Sequence, residues 1–178
     1  EAELEAKLDA LEAGMKRGGM GYAVRRIVRQ EDQDRVWAVR KAGLGLMMNV
    51  PGAAKPLPFV EDTAVTPEAL PQYVSRFDEI VRAHGTTAGY YGHASVGCLH
   101  IRPVINLKST AEVNRIYEIA DAVTDLVIRY GGTTASEHGD GLARTQWLKR
   151  LYGTRLTDAF SKLKALFDPK GIMNPGKI

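Results

Sequence analysis

The chain has 178 residues, of which 44% are hydrophobic and 25% are charged, and its formal net charge is +3. This length and composition predict one compact domain that buries its own core. The basic residues are scattered rather than gathered on one helix face, so the sequence does not favour nucleic-acid binding. No uncharged apolar run approaches the roughly 18 residues that a membrane-spanning helix needs, and the charged opening segment is not typical of a signal peptide.

Cys98 is the single cysteine of the chain, which excludes an internal disulfide and a four-thiolate zinc site. This cysteine usage favours a reducing compartment, and we predict a cytoplasmic location.

The chain opens on Glu1 rather than on methionine, in a stretch with the pattern of the middle of a helix. We therefore expect the sequence to be a fragment of a larger protein.

Apolar spacing predicts two helices and a strand in the first third of the chain. Apolar residues recur at helical spacing over residues 4–15, before a pair of glycines. A run rich in β-branched and aromatic residues over 20–28 predicts a strand. We expect a second helix over about 32–42 and then a loop over 43–58, where three prolines and three glycines interrupt any period.

The remaining segments predict short strands between longer helices. Hydrophobic periodicity, a Thr-Pro helix start and a Ser109–Glu112 capping box set the expected boundaries. In chain order we expect a strand over 59–65, a helix over 70–84, a hairpin of strands 86–94 and 98–105, a helix from Ser109 to about 130, an irregular segment over 133–141 and a helix over 156–167.

This order of elements predicts the α+β class, with an antiparallel sheet covered by helices. No internal repeat is present, and no glycine-rich phosphate loop lies between a strand and a helix. Because no linker is long enough to divide the chain, we assign residues 1–178 to a single domain.

Three of the four histidines lie in the two most glycine-rich segments of the chain. His93 and His100 flank the turn of the predicted hairpin, where side chains at the two ends of a tight connection can face one another. Glu137 would complete a His-His-Glu site with an open position, which suits zinc or a similar divalent ion. Histidines at this spacing are also common as structural or exposed residues, and both interpretations stay open on spacing alone.

The other two histidines are assigned different roles. His138 follows Glu137 and is the candidate general base, because an imidazole titrates near neutral pH and a neighbouring metal would keep it neutral. The alternative is a surface loop histidine. His84 lies in the last turn of a predicted helix, where the helix dipole favours a cation, and we interpret it as structural.

Four cationic side chains lie near these segments and could hold an anionic substrate. An arginine fork suits a carboxylate, so we predict Arg40, Lys55 and Arg102 as substrate-binding residues, with Arg144 as a further candidate. An exposed surface charge is the alternative for each of them.

The closing segment contains two turns in quick succession, at Asp168-Pro169 and at Asn174-Pro175-Gly176. These turns fix the path of the tail and expose the polar groups of Asn174 and Lys177. We expect a tail constrained in this way to dock against another part of the protein.

Five segments between Val36 and the end of the chain carry a family resemblance: VWAVRK, PFVEDTAV, YGHASVGCLHIRP, GGTTASEHGDGLAR and LKALFDPKGIMNPGKI. Together, and in this order, they resemble the C-terminal domain of FAD-linked oxidases of the vanillyl-alcohol-oxidase type. That family includes glycolate oxidase, D-lactate dehydrogenase and D-2-hydroxyglutarate dehydrogenase. The resemblance implies a ferredoxin-like α+β cap that covers FAD, with the FAD held by an N-terminal domain of the same polypeptide.

The resemblance also implies an activity and roles for the histidine cluster. The activity is FAD-dependent oxidation of a D-2-hydroxyacid to a 2-ketoacid. His93, His100 and Glu137 match the metal ligands of the family's metal-dependent members. His138 matches the residue that takes the hydroxyl proton while hydride passes to the flavin.

Residues outside the cluster are matched as well. Arg40 matches an arginine that holds the substrate carboxylate. Asn174 and Lys177 lie in the tail that returns to the flavin side, and we predict them as cofactor-binding residues.

Two features depart from the family pattern. Residues 95–98 read Ser-Val-Gly-Cys where many relatives carry Gly-Asp-Gly-Asn. Arg102 stands where some relatives have asparagine, which suggests a different or more acidic substrate.

The HIRP and VEDTAV segments are most similar to long bacterial members with a fused iron–sulfur domain. We therefore expect that domain, or a quinone, to accept the electrons, and the full protein to be cytoplasmic or peripheral to the inner face of the membrane.

Two other functions stay open at this point. A metal-dependent hydrolase would use His93, His100 and Glu137 around an activated water. A non-catalytic assembly domain would have histidines that bind nothing. A homodimer is a further possibility, because an apolar face that docks against a flavin domain would be exposed without it.

Overall fold

The computed structural model describes residues 2–177, and these residues divide into two compact units. One unit extends to Leu46 and the other begins at Met47. The division falls inside a helix rather than at a linker, and the assignment of the whole chain to one functional domain stays a prediction. No helix among the described residues is both long enough and apolar enough to cross a membrane.

The first unit contains helix α1, Ala2–Arg17, and most of helix α2, Gln30–Met48. The strand predicted over 20–28 is wrong, because this segment is irregular and pairs with no strand of the described chain. A strand is stable only beside a partner. Its Arg26 guanidinium instead lies 2.6 Å from the Glu12 carboxylate of α1.

Helix α2 is longer than the sequence predicted and takes up the first part of the predicted loop. Leucine and methionine have high helix propensities, and the Leu-Met-Met sequence over 46–48 extends the helix past Gly43 and Gly45. The prediction of a loop from Gly43 is therefore wrong by six residues.

The second unit is built on an antiparallel sheet whose central strand is β4, Cys98–Ile105. The strands β1, Lys55–Pro56, β2, Thr63–Ala64, and β3, Ala88–His93, all pair with β4. The predicted hairpin is confirmed, with Tyr91 opposite His100 and His93 opposite Cys98. The α+β class with an antiparallel sheet is confirmed as well.

The strand predicted over 59–65 is confined to Thr63–Ala64. Asp62 has a φ of 75°, a left-handed conformation that a continuous strand does not accommodate. Two residues of the predicted loop, Lys55 and Pro56, form β1 instead, because they pair with Ile105 and Val104 at the end of β4.

Two long helices cover one face of this sheet. They are α3, Leu70–Ala83, and α4, Thr110–Arg129. The Ser109 hydroxyl caps α4 by accepting from Glu112 N, while the Glu112 carboxylate accepts from Asn106 N rather than from Ser109. The buried apolar core includes Tyr73, Phe77 and Val81 of α3, Ile119, Val123 and Val127 of α4, and Leu99, Ile101 and Ile105 of β4.

The chain closes with helix α5, Gly141–Arg144, and helix α6, Leu148–Phe167. Gly153 interrupts α6 with φ 76° and ψ 167°, so the helix is kinked three residues before the start of the helix predicted over 156–167.

Two glycines allow the backbone to close tightly around β2. A Cβ at Gly97, where φ is 72°, would lie 1.8 Å from the Val65 carbonyl oxygen. A Cβ at Gly132 would lie 2.3 Å from the Ala64 carbonyl oxygen. These approaches, with the bridge between Ala64 and Thr133, bring the irregular segment over 133–141 beside the hairpin.

Candidate functional site

Strand β4 has one apolar face and one face that carries reactive side chains. Leu99, Ile101 and Ile105 belong to the core, so the alternate positions Cys98, His100 and Arg102 point to the other side of the sheet. Strand register puts the side chains of β3 residues 91 and 93 on that same side. The hairpin therefore places two histidines and a tyrosine together.

The rings on this face are close neighbours. The His93 and His100 ring centroids are 5.4 Å apart and nearly perpendicular. The Tyr91 ring lies 4.9 Å from that of His100. His100 is buried, whereas the side chain of His93 is about half exposed, so the pair lies at the edge of the interior.

Asp62 ties the segment over 136–138 to this face. Its carboxylate is fully buried and accepts hydrogen bonds from the backbone N–H groups of Ser136, Glu137 and His138, at 3.1, 3.0 and 2.7 Å. The Ser136 hydroxyl donates to the same carboxylate at 2.9 Å. Burial alone would raise the pKa of Asp62, but the N–H groups of His138 and Glu137 and the Ser136 hydroxyl outweigh it and hold the pKa below its ordinary value.

This anchoring delivers Glu137 and His138 to the hairpin histidines. Glu137 Oε2 lies 3.3 Å from His100 Nε2 and 3.6 Å from His93 Nε2. The His138 ring stacks on that of His100 with a centroid distance of 5.1 Å and an angle of 10°. All four residues singled out from the sequence as ligands or base converge on one place.

Two arginines balance the carboxylates around the cluster. Arg102 Nη2 lies 2.6 Å from Glu61 Oε2. Arg144 is buried and donates to the carbonyl oxygens of Glu61 and Gly139. It therefore joins the residues that precede β2 to the segment over 133–141, which is a structural role rather than that of a free anion anchor.

Burial lowers the pKa of His100, and the neighbouring His138 acts in the same direction. The carboxylates of Glu61 and Glu137 oppose this shift without reversing it. His100 is therefore held as a neutral imidazole, which is the form that binds a metal.

His100 and Glu137 have the donor types and the spacing of ligands to a divalent metal ion. The two nitrogen-to-oxygen distances given above match the separation of about 3.3 Å between ligands that make bonds of 2.0–2.1 Å to a tetrahedral ion. Nδ1 of His100 is buried and has no hydrogen-bond partner within the described residues. Among the described residues, two groups have donor atoms that all lie within 4.8 Å of one another: Asp62, Cys98, His100 and Glu137, and Glu61, His100 and His138. His93 is in neither group, although its Nε2 lies 3.6 Å from Glu137 Oε2, and Asp62 is already occupied by the backbone N–H groups.

Comparison with known proteins assigns the chain to a family. A model of the FAD-linked oxidase C-terminal domain matches residues 1–178. This chain belongs to that family. It is 39% identical over 173 residues to D-2-hydroxyglutarate dehydrogenase of Escherichia coli, covering 97% of this chain. It is 30% identical over 149 residues to D-lactate dehydrogenase of Archaeoglobus fulgidus and 26% identical over 175 residues to glycolate oxidase subunit GlcD of Bacillus subtilis, covering 84% and 98% of this chain.

The chain spans only part of each of these relatives. It covers 17% of the Escherichia coli protein, 31% of the Archaeoglobus protein and 36% of the Bacillus protein. The FAD-linked oxidase C-terminal domain is therefore one part of the relatives it matches.

The other residues predicted for the site belong to other elements of the chain. Arg40 is on α2, in the first unit. Lys55 Nζ donates to the Val50 carbonyl oxygen. Asn174 and Lys177 line a cavity of about 950 Å³ beside α6. Within residues 2–177, no hydrogen bond or ion pair joins Lys55, Asn174 or Lys177 to the histidine cluster, and their roles stay predictions.

Two further elements agree with the sequence interpretation of the family member. His84 Nδ1 lies 2.7 Å from the Ile80 carbonyl oxygen in the last turn of α3, a contact that agrees with the structural role predicted for it. The tail turn is held by Asp168, whose carboxylate accepts from Ile172 N and Met173 N, each at 2.9 Å.

Sequence reasoning missed Glu61 and Asp62. Both are buried, and both contact the segment that carries His138. The available signal was two adjacent carboxylates inside an otherwise apolar, β-branched run, since buried acidic residues are rare unless they are paired or hydrogen-bonded.

Replacing Asp62 by Asn should destabilise the protein. Oδ2 accepts from all three backbone N–H groups, so an amide oxygen in its place can keep those bonds but makes them bonds to an uncharged group. The amide nitrogen in the place of Oδ1 cannot accept from the Ser136 hydroxyl or from Glu137 N, and the total loss should be about 1–3 kcal/mol. Chemical denaturation measures the free energy of unfolding. Asp125→Asn, which removes an exposed partner of Arg150, is the control and should cost no more than about 1 kcal/mol.

The effect of this substitution should depend on pH. The native-state pKa of Asp62 lies below its ordinary 3.8, so the ionised carboxylate contributes stability that is complete above that value and is lost as pH falls through the native-state pKa. The difference in unfolding free energy between wild type and Asp62→Asn should therefore narrow below about pH 4. A difference that stays constant down to about pH 2 would contradict this assignment.

Proposed function

We propose that this chain is the substrate-binding and catalytic cap of an FAD-dependent 2-hydroxyacid dehydrogenase. The observation that carries the proposal is the convergence of His138 with His93, His100 and Glu137 on one face of the hairpin. The relatives named above are dehydrogenases and an oxidase, which favours redox chemistry over the hydrolase and the assembly domain considered from the sequence.

In the proposed enzyme, three side chains of this chain would hold a divalent ion, with zinc as our assignment. These are His93, His100 and Glu137. The FAD-binding domain of the same polypeptide would hold the flavin. When bound, FAD supplies the acceptor for the hydride from C2 of the substrate, and the ion supplies a Lewis acid for the hydroxyl and carboxylate oxygens.

His138 takes the hydroxyl proton in this proposal. Its Nδ1 lies 3.4 Å from Glu61 Oε1, and its Nε2 lies 4.0 Å from Glu137 Oε2, so Nε2 points toward the proposed ion site. A lone pair on Nε2 accepts the proton as the O–H bond breaks. The substrate loses two electrons and two hydrogens in all, one as a proton to His138 and one as a hydride, and becomes a 2-ketoacid.

D-2-Hydroxyglutarate and D-lactate are the substrates to test first. Relatives named D-2-hydroxyglutarate dehydrogenase from two bacteria are 39% and 42% identical to this chain. Arg40, Lys55 and Arg102 were predicted from the sequence as carboxylate-binding residues, and we retain Arg40 and Lys55 in that role. Transfer of electrons to an iron–sulfur domain or a quinone, a cytoplasmic location and a homodimer also stay proposals.

Metal binding should depend on the cluster histidines. We expect the purified protein to bind one zinc ion per chain and His100→Ala or Glu137→Ala to weaken binding by more than about 100-fold, since even outer-shell changes cost 10–100-fold. Zinc titration with elemental analysis measures this. His84→Ala, outside the cluster, should bind zinc as wild type does. Equal zinc affinity in wild type and both cluster variants would show that the ion is not held here.

Loss of the His138 imidazole should slow the redox step. In the flavin-containing full-length protein, we expect His138→Ala to lower the rate of flavin reduction at saturating D-2-hydroxyglutarate or D-lactate by about 10²–10⁴-fold. Stopped-flow absorbance of the flavin measures this rate. His84→Ala should react at the wild-type rate, and an unchanged rate in His138→Ala would remove the proposed base.

A further inference from the structure

Glu61 lies between Arg102 and His138. One carboxylate oxygen, Oε2, is 2.6 Å from Arg102 Nη2, and the other, Oε1, is 3.4 Å from His138 Nδ1. The side chains of Glu61 and Arg102 are only 9% and 11% exposed. A carboxylate that contacts a guanidinium and an imidazole through different oxygens has a fixed orientation.

Arg102 is held on its other side as well. Its Nε donates to the Tyr91 hydroxyl at 3.2 Å, and its guanidinium lies 5.8 Å from the centre of the Tyr91 ring. The Tyr91 ring and the Glu61 carboxylate therefore contact the Arg102 guanidinium from two directions. Such an arginine is placed to neutralise Glu61 rather than to reach for a ligand.

The position of Glu61 favours a proton on one of the two nitrogens of His138. A carboxylate accepts from an imidazole N–H, and Glu61 Oε1 is closer to Nδ1, at 3.4 Å, than Glu137 Oε2 is to Nε2, at 4.0 Å. We therefore assign the proton of the neutral ring to Nδ1. The lone pair then lies on Nε2, the nitrogen that faces Glu137. If the ring were in the other tautomer, Nε2 would hold a proton and could accept none.

We propose that Glu61 is a positioning residue for His138 and that Arg102 acts on the reaction through Glu61. This proposal rests on the proposed function, in which His138 takes the hydroxyl proton. It gives Arg102 a different role from the substrate-carboxylate anchor predicted from the sequence. The two roles differ in what they change, because an anchor controls binding of the ligand, whereas a positioning residue controls the rate of the bound complex.

The experiment compares Glu61→Gln, Arg102→Met and the double variant in the flavin-containing full-length protein. Stopped-flow absorbance gives the rate of flavin reduction at saturating D-2-hydroxyglutarate and D-lactate. Flavin absorbance titrations with 2-oxoglutarate and pyruvate give the dissociation constants of the two ketoacids. Arg150→Met, which removes the exposed ion pair with Asp121, is the control for loss of a charge pair and should leave both quantities unchanged.

We expect each single variant to lower the rate of flavin reduction by about 10–100-fold, the usual effect of losing a partner that orients a functional side chain. Ketoacid dissociation constants should stay within about twofold of wild type. Because Arg102 acts through Glu61, the double variant should be no slower than the slower single variant, rather than slower by the product of the two effects.

The result that overturns the proposal is a weaker ketoacid complex. If Arg102 anchors the substrate, Arg102→Met should raise the dissociation constant of 2-oxoglutarate more than about tenfold. The effects of Arg102→Met and Glu61→Gln on the rate should then multiply in the double variant. Arg102→Met leaves a buried carboxylate without its partner, which is strongly destabilising. If that variant does not fold, the comparison of Glu61→Gln with the double variant decides, since equal ketoacid binding supports positioning and weaker binding in the double variant overturns it. A wild-type protein whose flavin no 2-hydroxyacid reduces would instead remove the proposed function.

Discussion

The buried Asp62 carboxylate is the interaction on which the candidate site depends. A charged carboxylate without partners is far too costly to bury, but three backbone N–H groups and a hydroxyl satisfy this one. Asp62 and Ser136 are 74 residues apart in the chain. The carboxylate therefore holds a loop that has no regular structure of its own in a defined place beside the sheet.

The sheet supplies the other half of the site. β4 is the central strand, and its two faces have separate tasks: Leu99, Ile101 and Ile105 stabilise the fold, while His100 and Arg102 lie on the face that meets the loop. Because the same backbone hydrogen bonds hold both faces, burial of the apolar side fixes the position of the imidazole on the other side. The packed apolar side chains hold the strand rigidly, and they thereby hold His100 in the defined position that a binding site requires.

The sequence predicted the parts of the site that depend on local pattern. Alternation and a short turn were sufficient to place His93 and His100 in one hairpin, and the acidic-histidine pair at 137–138 was recognisable by composition. The role of Asp62 was not accessible, because it depends on a left-handed backbone conformation within a run typical of a strand and on partners far along the chain. The prediction of a strand over 20–28 was wrong for a related reason, since β-propensity does not supply a neighbouring strand. Membership of the FAD-linked oxidase C-terminal family, by contrast, was carried by motifs and needed no coordinates.

Native-state hydrogen exchange of the backbone amides of Ser136, Glu137 and His138 tests the central claim most directly. An exposed glycine-rich loop normally exchanges its amides almost without protection. The hydrogen bonds to Asp62 predict that these three amides are protected nearly as well as those of β4, while the neighbouring amide of Gly139 is not. Exchange of all three at the rate of an unstructured peptide would contradict the account, because the loop would then have no fixed position from which to present Glu137 and His138.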